Sequence, residues 1–555
     1  MLLAEIRKLR RTAGAIALSA FVIACGKVAP EPGPGKKDEW PAEATIVGKV
    51  TSDEDGRKPL EGVVVSDGYI VTKTDANGRF SLKSAKAHGY VFISTPSGYS
   101  PALDGVQPRF YAKVGAFRRD TANFVLKAED QSHLTVYMLG DMHLADKRRD
   151  LSQFEDFAAD LKAQSLAAPG PRFALTLGDM SWDAYWRDFD LWNYLNLITR
   201  KFPGLPFYHT IGNHDHDLEA DGDWATAAPF KRILGPTYYS FNAGGVHFVV
   251  LDDIVCRNAG GERSSWNEVD DAQMKWLAAD LAEVPATTPV IVAAHAPLYR
   301  SSGDGFYLYN GLNLLNVFKG HDELYFFTGH YHTSHTADYV KPGYIPVFEK
   351  NCAAVCGNWW YMQYDYPSAK VNLCSDGTPG GYEIVSIDGG KVSWTYKPTG
   401  RGPGFQFRTY DRNCIELDPA VYAPGASASN RAGFEAMAGE FRSKSSDNYV
   451  YINVWGYDPK WRISVNENGR ALKVTRLTDR KDPLYVAFFE GYSFAKGYVT
   501  DYGSGLSSYY PPSTTSHIFR VQASSPSSTL EIDVTDRFSR TFHETMTRPK
   551  ALRLE

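Results

Sequence analysis

The chain is 555 residues long, which at roughly 100 to 200 residues per domain exceeds a single core and points to three to five domains. Its 59 basic and 64 acidic side chains give a formal charge of −5, so it lacks the basic field of a nucleic-acid binder, and no nucleic-acid partner is expected. With 43% hydrophobic and 22% charged residues, disorder, collagen and coiled coil are excluded as the dominant state, and six cysteines are too few for a disulfide scaffold. Of 14 histidines, 11 fall between positions 133 and 335: His133, His143, His209, His214, His216, His247, His295, His321, His330, His332 and His335. That concentration marks where chemistry is to be sought.

At the amino terminus Arg7, Lys8, Arg10 and Arg11 precede the apolar stretch AGAIALSAFVIA, which is too short to cross a bilayer and has the shape of a secretory signal. The sequence VIAC followed by Gly26 resembles a bacterial lipobox. The resemblance implies a signal peptide over residues 1–24, lipidation of Cys25 and a lipid-anchored place in the cell envelope, facing the periplasm or the surface; an ordinary secretory signal with an incidental cysteine is the alternative. Residues 25–44 are Pro- and Gly-rich without hydrophobic period, as expected of a tether. Five cysteines then remain, Cys256, Cys352, Cys356, Cys374 and Cys414. The three middle ones are close enough in sequence for a disulfide of open pairing, and a Cys-x3-Cys zinc site lacks two further ligands.

Residues 45–127 read as short strands and turns (TIVGKV, GVVVSDG, TKTDANGRFSL, YVFISTP), with Asp75, Asn77 and Gly78 as turn formers. This stretch resembles the transthyretin-like β-sandwich appended to secreted bacterial enzymes. From about 131 to 400 apolar strands (LTVYML, RFALTL, PFYHTI, VHFVVL, PVIVAA, LYFFT) alternate with helical patterns. One runs through Leu151, Phe154, Phe157, Ala158 and Leu161, another through Met274, Leu277 and Leu281, which predicts an α/β layer architecture. YEIVSIDGG and KVSWTYKPTG are expected to close its second sheet. Residues 401–555 form a further β-rich segment, with VYINVWG, RISVNENG and STLEIDVTD as strands.

Five of the apolar strands run directly into short polar motifs: LTVYML into GDMH, RFALTL into GD, PFYHTI into GNHD, PVIVAA into HAP, and LYFFT into GHYH. Loops at the carboxyl ends of α/β strands share one edge and converge. They would bring together Asp141, His143, Asp179, Asn213, His214, His295, His330 and His332, too many donors for one ion and suited in type to a pair of first-row transition metals.

The five motifs in this order, over roughly residues 133–335, resemble the signature of the calcineurin-like metallophosphoesterase superfamily. The resemblance implies a four-layer α/β/β/α sandwich, here flanked by an N-terminal β-sandwich and a C-terminal β-rich domain. It implies that Asp141, His143 and His332 hold one metal, Asn213, His295 and His330 the other, and that Asp179 bridges them. His214 would face a phosphate oxygen or the leaving group, with Asp215 orienting its imidazole. The reaction implied is phosphoester hydrolysis by a bridging hydroxide. Trp182 stands three residues after Asp179, where the purple acid phosphatase branch has a metal-binding tyrosine; indole offers no such lone pair, which disfavours Fe(III)-tyrosinate and leaves Mn, Zn, Fe(II) or a mixed pair.

Substrate choice falls to loops outside the motifs. Arg300 is a candidate for a phosphate oxygen, and Trp359 and Trp360 for stacking on a sugar or base. The expected activity is that of a phosphodiesterase on an envelope lipid, glycan or nucleotide. A phosphomonoesterase is the nearest alternative, and a non-catalytic envelope binding module a more distant one.

Overall fold

In the computed structural model the described residues are 40–54, 56–258, 262–301, 305–339 and 346–554. The signal, Cys25 and most of the tether lie outside them. Residues 43–555 form one compact unit. No helix among the described residues is long and apolar enough to cross a membrane.

Two four-stranded sheets make the N-terminal sandwich. One has the order Arg79–Leu82, Ile46–Ser52, Asp120–Ala128, Tyr99–Pro101, and the other Val71–Lys73, Val64–Ser66, Tyr90–Ser94, Tyr111–Lys113. The sandwich shares its hydrophobic core with the α/β unit. Phe110 packs on Tyr239 (ring centroids 4.6 Å apart) and Phe92 on Trp276 (5.9 Å), while the Tyr238 hydroxyl donates to the Gly68 carbonyl at 2.8 Å.

The central unit has two facing sheets. The first runs Phe207–Tyr208, Arg172–Thr176, His133–Leu139, Gly381–Asp388, Lys391–Pro398; the second runs Tyr239–Ala243, Val246–Val250, Val290–Ala293, Leu324–Thr328, Val347–Asn351, His335–Tyr339. Side chains alternate across a strand. Accordingly Leu134, Val136 and Met138 enter the core between the sheets, whereas Tyr137 and Leu139 face Phe154, Phe157 and Leu161 of the helix Asp150–Ala167. On the far side Trp276 and Leu277 of the helix Asp271–Leu281 cover the second sheet, giving four layers, α/β/β/α. The helix start is set by Asp270, whose carboxylate accepts the amides of Ala272 and Gln273.

Two expectations change. YEIVSIDGG and KVSWTYKPTG complete the first sheet, because Gly381–Asp388 pairs antiparallel with His133–Leu139. PFYHTI is a strand only at Phe207–Tyr208, since the His209 amide turns away to the Tyr239 hydroxyl at 3.0 Å. The C-terminal segment adds two four-stranded sheets around their own core, together with helices such as Ala428–Ala438 and Gly491–Lys496.

Trp276 is fully buried where sandwich and central unit meet. Trp276→Ala should lower the unfolding free energy by about 3–5 kcal/mol, measured as a shift in the urea midpoint.

Candidate metal centre

All the motif loops leave the carboxyl ends of parallel strands. His133–Leu139 delivers Asp141 and His143, Arg172–Thr176 delivers Asp179, and Phe207–Tyr208 delivers Asn213 and His214. From the second sheet Val290–Ala293 delivers His295, and Leu324–Thr328 delivers His330 and His332.

Asp179 stands in the middle. Its Oδ2 is 3.5 Å from His143 Nε2 and 3.3 Å from His295 Nε2. On one side Asp141 Oδ1 is 3.8 Å from His143 Nε2 and 3.5 Å from His332 Nε2, and those two nitrogens are 2.9 Å apart. On the other side Asn213 Oδ1 is 2.9 Å from His295 Nε2 and 3.0 Å from His330 Nδ1. Asp141, His143 and His332 form one group able to hold an ion, and Asp179, His295 and His330 another; His143, Asp179 and His214 form a third that overlaps both. Mixed carboxylate, amide and imidazole donors, buried and facing one another, fit divalent transition metals.

The backbone is arranged to aim these donors. His295 Nδ1 donates to the Leu177 carbonyl at 2.8 Å and His332 Nδ1 to the Gly357 carbonyl at 3.0 Å, which leaves each Nε2 as the ligating lone pair. Asp141, His143, Asp179, His330 and His332 have φ between 45° and 74°. Side-chain-bearing residues rarely adopt that left-handed region, and its use at five ligand positions places backbone strain at the site. Gly329 approaches the Asp141 carboxylate so closely that a Cβ there would lie 2.5 Å from Oδ2.

Charge balance separates the imidazoles. Burial pushes His143 well below its usual range and His330 down to about 3, so both are held in the neutral form that binds metals. Burial also opposes a proton on His295 and His332, but Asp179 outweighs it for His295, raised to about 10. Cys356 and Asp141 outweigh it for His332, raised well above the usual value. Metals must therefore displace protons from these two.

His214 stands at the edge, its amide donating to Asp179 Oδ1 at 2.7 Å. Asp215 does not orient its ring. Both Asp215 oxygens are taken by backbone amides, of Asp179 (2.8 Å), Gly212 (2.9 Å), Met180 (3.0 Å) and Ser181 (3.3 Å), so this carboxylate ties two ligand loops together. Asp183 meets the imidazole instead, Oδ1 to Nδ1 at 2.9 Å, and also pairs with Arg263, whose Nη1 lies 2.8 Å from His214 Nδ1. Asp183 is visible in GDMSWD, four residues past Asp179. Arg263 belongs to no motif and carries no signal in the sequence.

Of the substrate candidates, Trp359 is at the site, its ring 3.8 Å from that of His143 and 5.1 Å from that of His332. Trp360 is not available to a substrate. It is 3% exposed and its indole N–H donates to the Met142 carbonyl at 2.7 Å, bracing the loop between Asp141 and His143. Arg300 is exposed and lies near Tyr331, whose ring neighbours Tyr307, the residue that meets His330 at 3.1 Å. His216 is buried against Thr226, His209 against Tyr194 and His247 against Asp280, and none joins the donors. Cys256, Cys352, Cys356, Cys374 and Cys414 are free thiols, so the disulfide that the spacing of Cys352, Cys356 and Cys374 allowed is not formed.

A four-layer sandwich with these donors at its strand ends is a metallophosphoesterase architecture. Three family models match in succession: the N terminal of calcineurin-like phosphoesterase over residues 44–129, calcineurin-like phosphoesterase over 134–334 and the C terminal of calcineurin-like phosphoesterase over 349–542. The three models describe parts of one family and together span residues 44–542, and the chain belongs to the calcineurin-like phosphoesterase family. Purple acid phosphatase 15 of Arabidopsis thaliana is 32% identical over 130 residues, covering 21% of this chain and 22% of that protein. Purple acid phosphatase 23 of the same plant is 34% identical over 130 residues, covering 22% and 24%. The chain thus spans about a quarter or less of the length of these relatives. Among solved structures a dimetal phosphatase from Danio rerio aligns over 48% of this chain and 99% of its own, at 13% identity and a TM-score of 0.32.

Gly329→Ala should push the Asp141 carboxylate out of place and lower metal retention about 10- to 100-fold, read by equilibrium dialysis against a chelator, with the circular dichroism spectrum retained.

Proposed function

We propose that the protein is a binuclear metal-dependent phosphoester hydrolase acting at the surface of an envelope membrane to which Cys25 anchors it. The observation that supports this most is the single carboxylate of Asp179 lying between two sets of imidazole donors.

Asp141, His143 and His332 would hold one ion and Asn213, His295 and His330 the other, with Asp179 common to both. Bound Mn, Zn or Fe(II) would offset the charge of the ester oxygens and acidify a water to a pKa of about 7. The chain's own residues then direct the reaction. Asp183 fixes the His214 ring by accepting from Nδ1. Burial lowers the His214 pKa, so giving a proton from Nε2 to the departing alkoxide, or a hydrogen bond from it to a phosphate oxygen, requires the doubly protonated ring that the charge of a bound ester would favour. Burial of Asp141, Asp179 and His295 keeps bulk water from competing for these groups.

A phosphodiester is the first substrate reading. Rings flank the donors on both sides, Trp359 beside His143 and Tyr307 beside His330, and give each organic group of a diester a surface. A phosphomonoester is the second. Arg263 adds a fixed cation next to His214, which suits the extra negative charge of a terminal phosphate, and the Arabidopsis relatives are named as phosphatases. Nucleotides, glycans and lipid headgroups are all compatible envelope substrates on this reading.

The test is hydrolysis of bis-p-nitrophenyl phosphate and p-nitrophenyl phosphate by Mn(II)- or Zn(II)-loaded protein. Turnover of at least one is expected, and turnover of neither with metals bound would remove the hydrolase reading. Asp179→Asn should abolish metal binding and turnover together. Asp183→Asn should lower kcat about 10- to 100-fold with metal content unchanged, because Asp183 is not among the donors and the substitution loosens only His214 and its neighbour Arg263.

A further inference from the structure

The C-terminal module reaches the metal centre through an unbroken run of aromatic rings. Trp359 lies 4.6 Å from Trp182 and 5.6 Å from Tyr510, centroid to centroid. Tyr185 extends the run beyond Trp182 at 4.8 Å, and Tyr361 extends it beyond Tyr510 at 5.4 Å. Trp182, Trp359 and Tyr510 are each only half-buried, so part of each remains accessible, and Tyr509 next to them is 66% exposed.

Trp359 and Trp360 both have positive φ, 59° and 63°. For bulky residues that is a genuine outlier, of the kind kept where a side chain must be presented in one place. Trp360 serves as the anchor through its bond to Met142, and Trp359 lies over His143 and His332. Tyr510 is held in turn: the Tyr485 hydroxyl donates to its carbonyl at 2.8 Å and accepts from the side-chain amide of Asn358, the residue before Trp359.

The run of rings stands on a particular side. The Trp359 ring is 5.2 Å from that of His214 and edge-on to it, so the aromatic surface begins beside His214, where on the hydrolase reading the departing group would lie. The other side of the donors is bordered by Tyr307 and Tyr331.

We infer that Trp182, Trp359 and Tyr510 form a stacking wall, completed by the C-terminal module, for a ring carried by the alcohol portion of the phosphoester. The ring is a nucleobase or a sugar; both present a flat or weakly polar face to indole and phenol. The proposal rests on the hydrolase reading for its kinetic test but not for its binding test.

Adenosine 5′-monophosphate, ribose 5-phosphate and glycerol 3-phosphate share a primary alkoxide leaving group and differ in their rings, so leaving-group basicity does not enter. Each is offered to metal-loaded protein as the monoester and as the methyl diester, with kcat/KM and quenching of tryptophan fluorescence as readouts. The wild type should prefer a ring-bearing ester to the glycerol ester. In Tyr510→Ala and Trp182→Ala that preference should fall about ten-fold, and in Tyr510→Phe, which keeps the ring, it should return. Loss against adenosine 5′-monophosphate alone identifies a base as the stacked group, and equal loss against ribose 5-phosphate identifies a sugar. A preference within about two-fold of wild type in both alanine variants, with metal content intact, would overturn the wall. Quenching by adenosine 5′-monophosphate that is lost in Tyr510→Ala, in a protein that hydrolyses none of the esters, would keep the wall and remove the hydrolase reading.

Discussion

Electron-pair donors crowd one another at the centre of this protein. Imidazole nitrogens of His143 and His332 lie 2.9 Å apart, those of His295 and His330 3.1 Å apart, and the Asp179 carboxylate sits between the pairs. Such an arrangement is costly unless protons or metal cations neutralise it, and the surroundings hold it in place by a recurring device. Buried carboxylates accept backbone amides of the ligand loops: Asp215 those around Asp179 and Gly212, Asp253 those of His295 and Ala296, and Glu349 those of Leu298 and Tyr299. Burial raises Asp253 to about 7 and Glu349 to about 8, against the pull of the same backbone amides toward the charged form.

The flanking parts are packed against this frame. The N-terminal sandwich merges its core with the second sheet through Phe92, Phe110 and Trp276. The C-terminal module meets the core through apolar packing, Trp455 entering the core beside the first sheet and Leu373 entering the module's own, and through polar contacts, among them His517 with Asp376 at 3.1 Å and Asn453 with the Asp376 carbonyl at 3.0 Å. Asp376 in turn accepts the Ser334 amide at 2.7 Å, two residues beyond His332. The loop that ends in a metal donor is therefore connected to the C-terminal module through one buried carboxylate.

Much of this is legible in the sequence because strand and loop repeat one pattern: apolar alternation, then Gly with Asp, Asn or His. The glycine of GHYH is explained by the space Asp141 needs beside Gly329. What escapes is placed by tertiary contact. Val347–Asn351 is a central strand although Glu349 and Lys350 are charged, because both are buried with partners, Glu349 on backbone amides and Lys350 on Ser334. Asp215 adjoins His214 in sequence, yet its oxygens turn toward backbone amides, and no spacing rule distinguishes that from an orienting role. Arg263 and Tyr510 arrive from regions with no motif at all.

The central claim is that the donors around Asp179 hold two divalent ions, and metal stoichiometry tests it most directly. Protein stripped with chelator, titrated with Zn(II) or Mn(II) and analysed by elemental mass spectrometry after gel filtration should retain two ions per chain in the wild type. Retention of two ions by Asp179→Ala, or of none by the wild type, would contradict it.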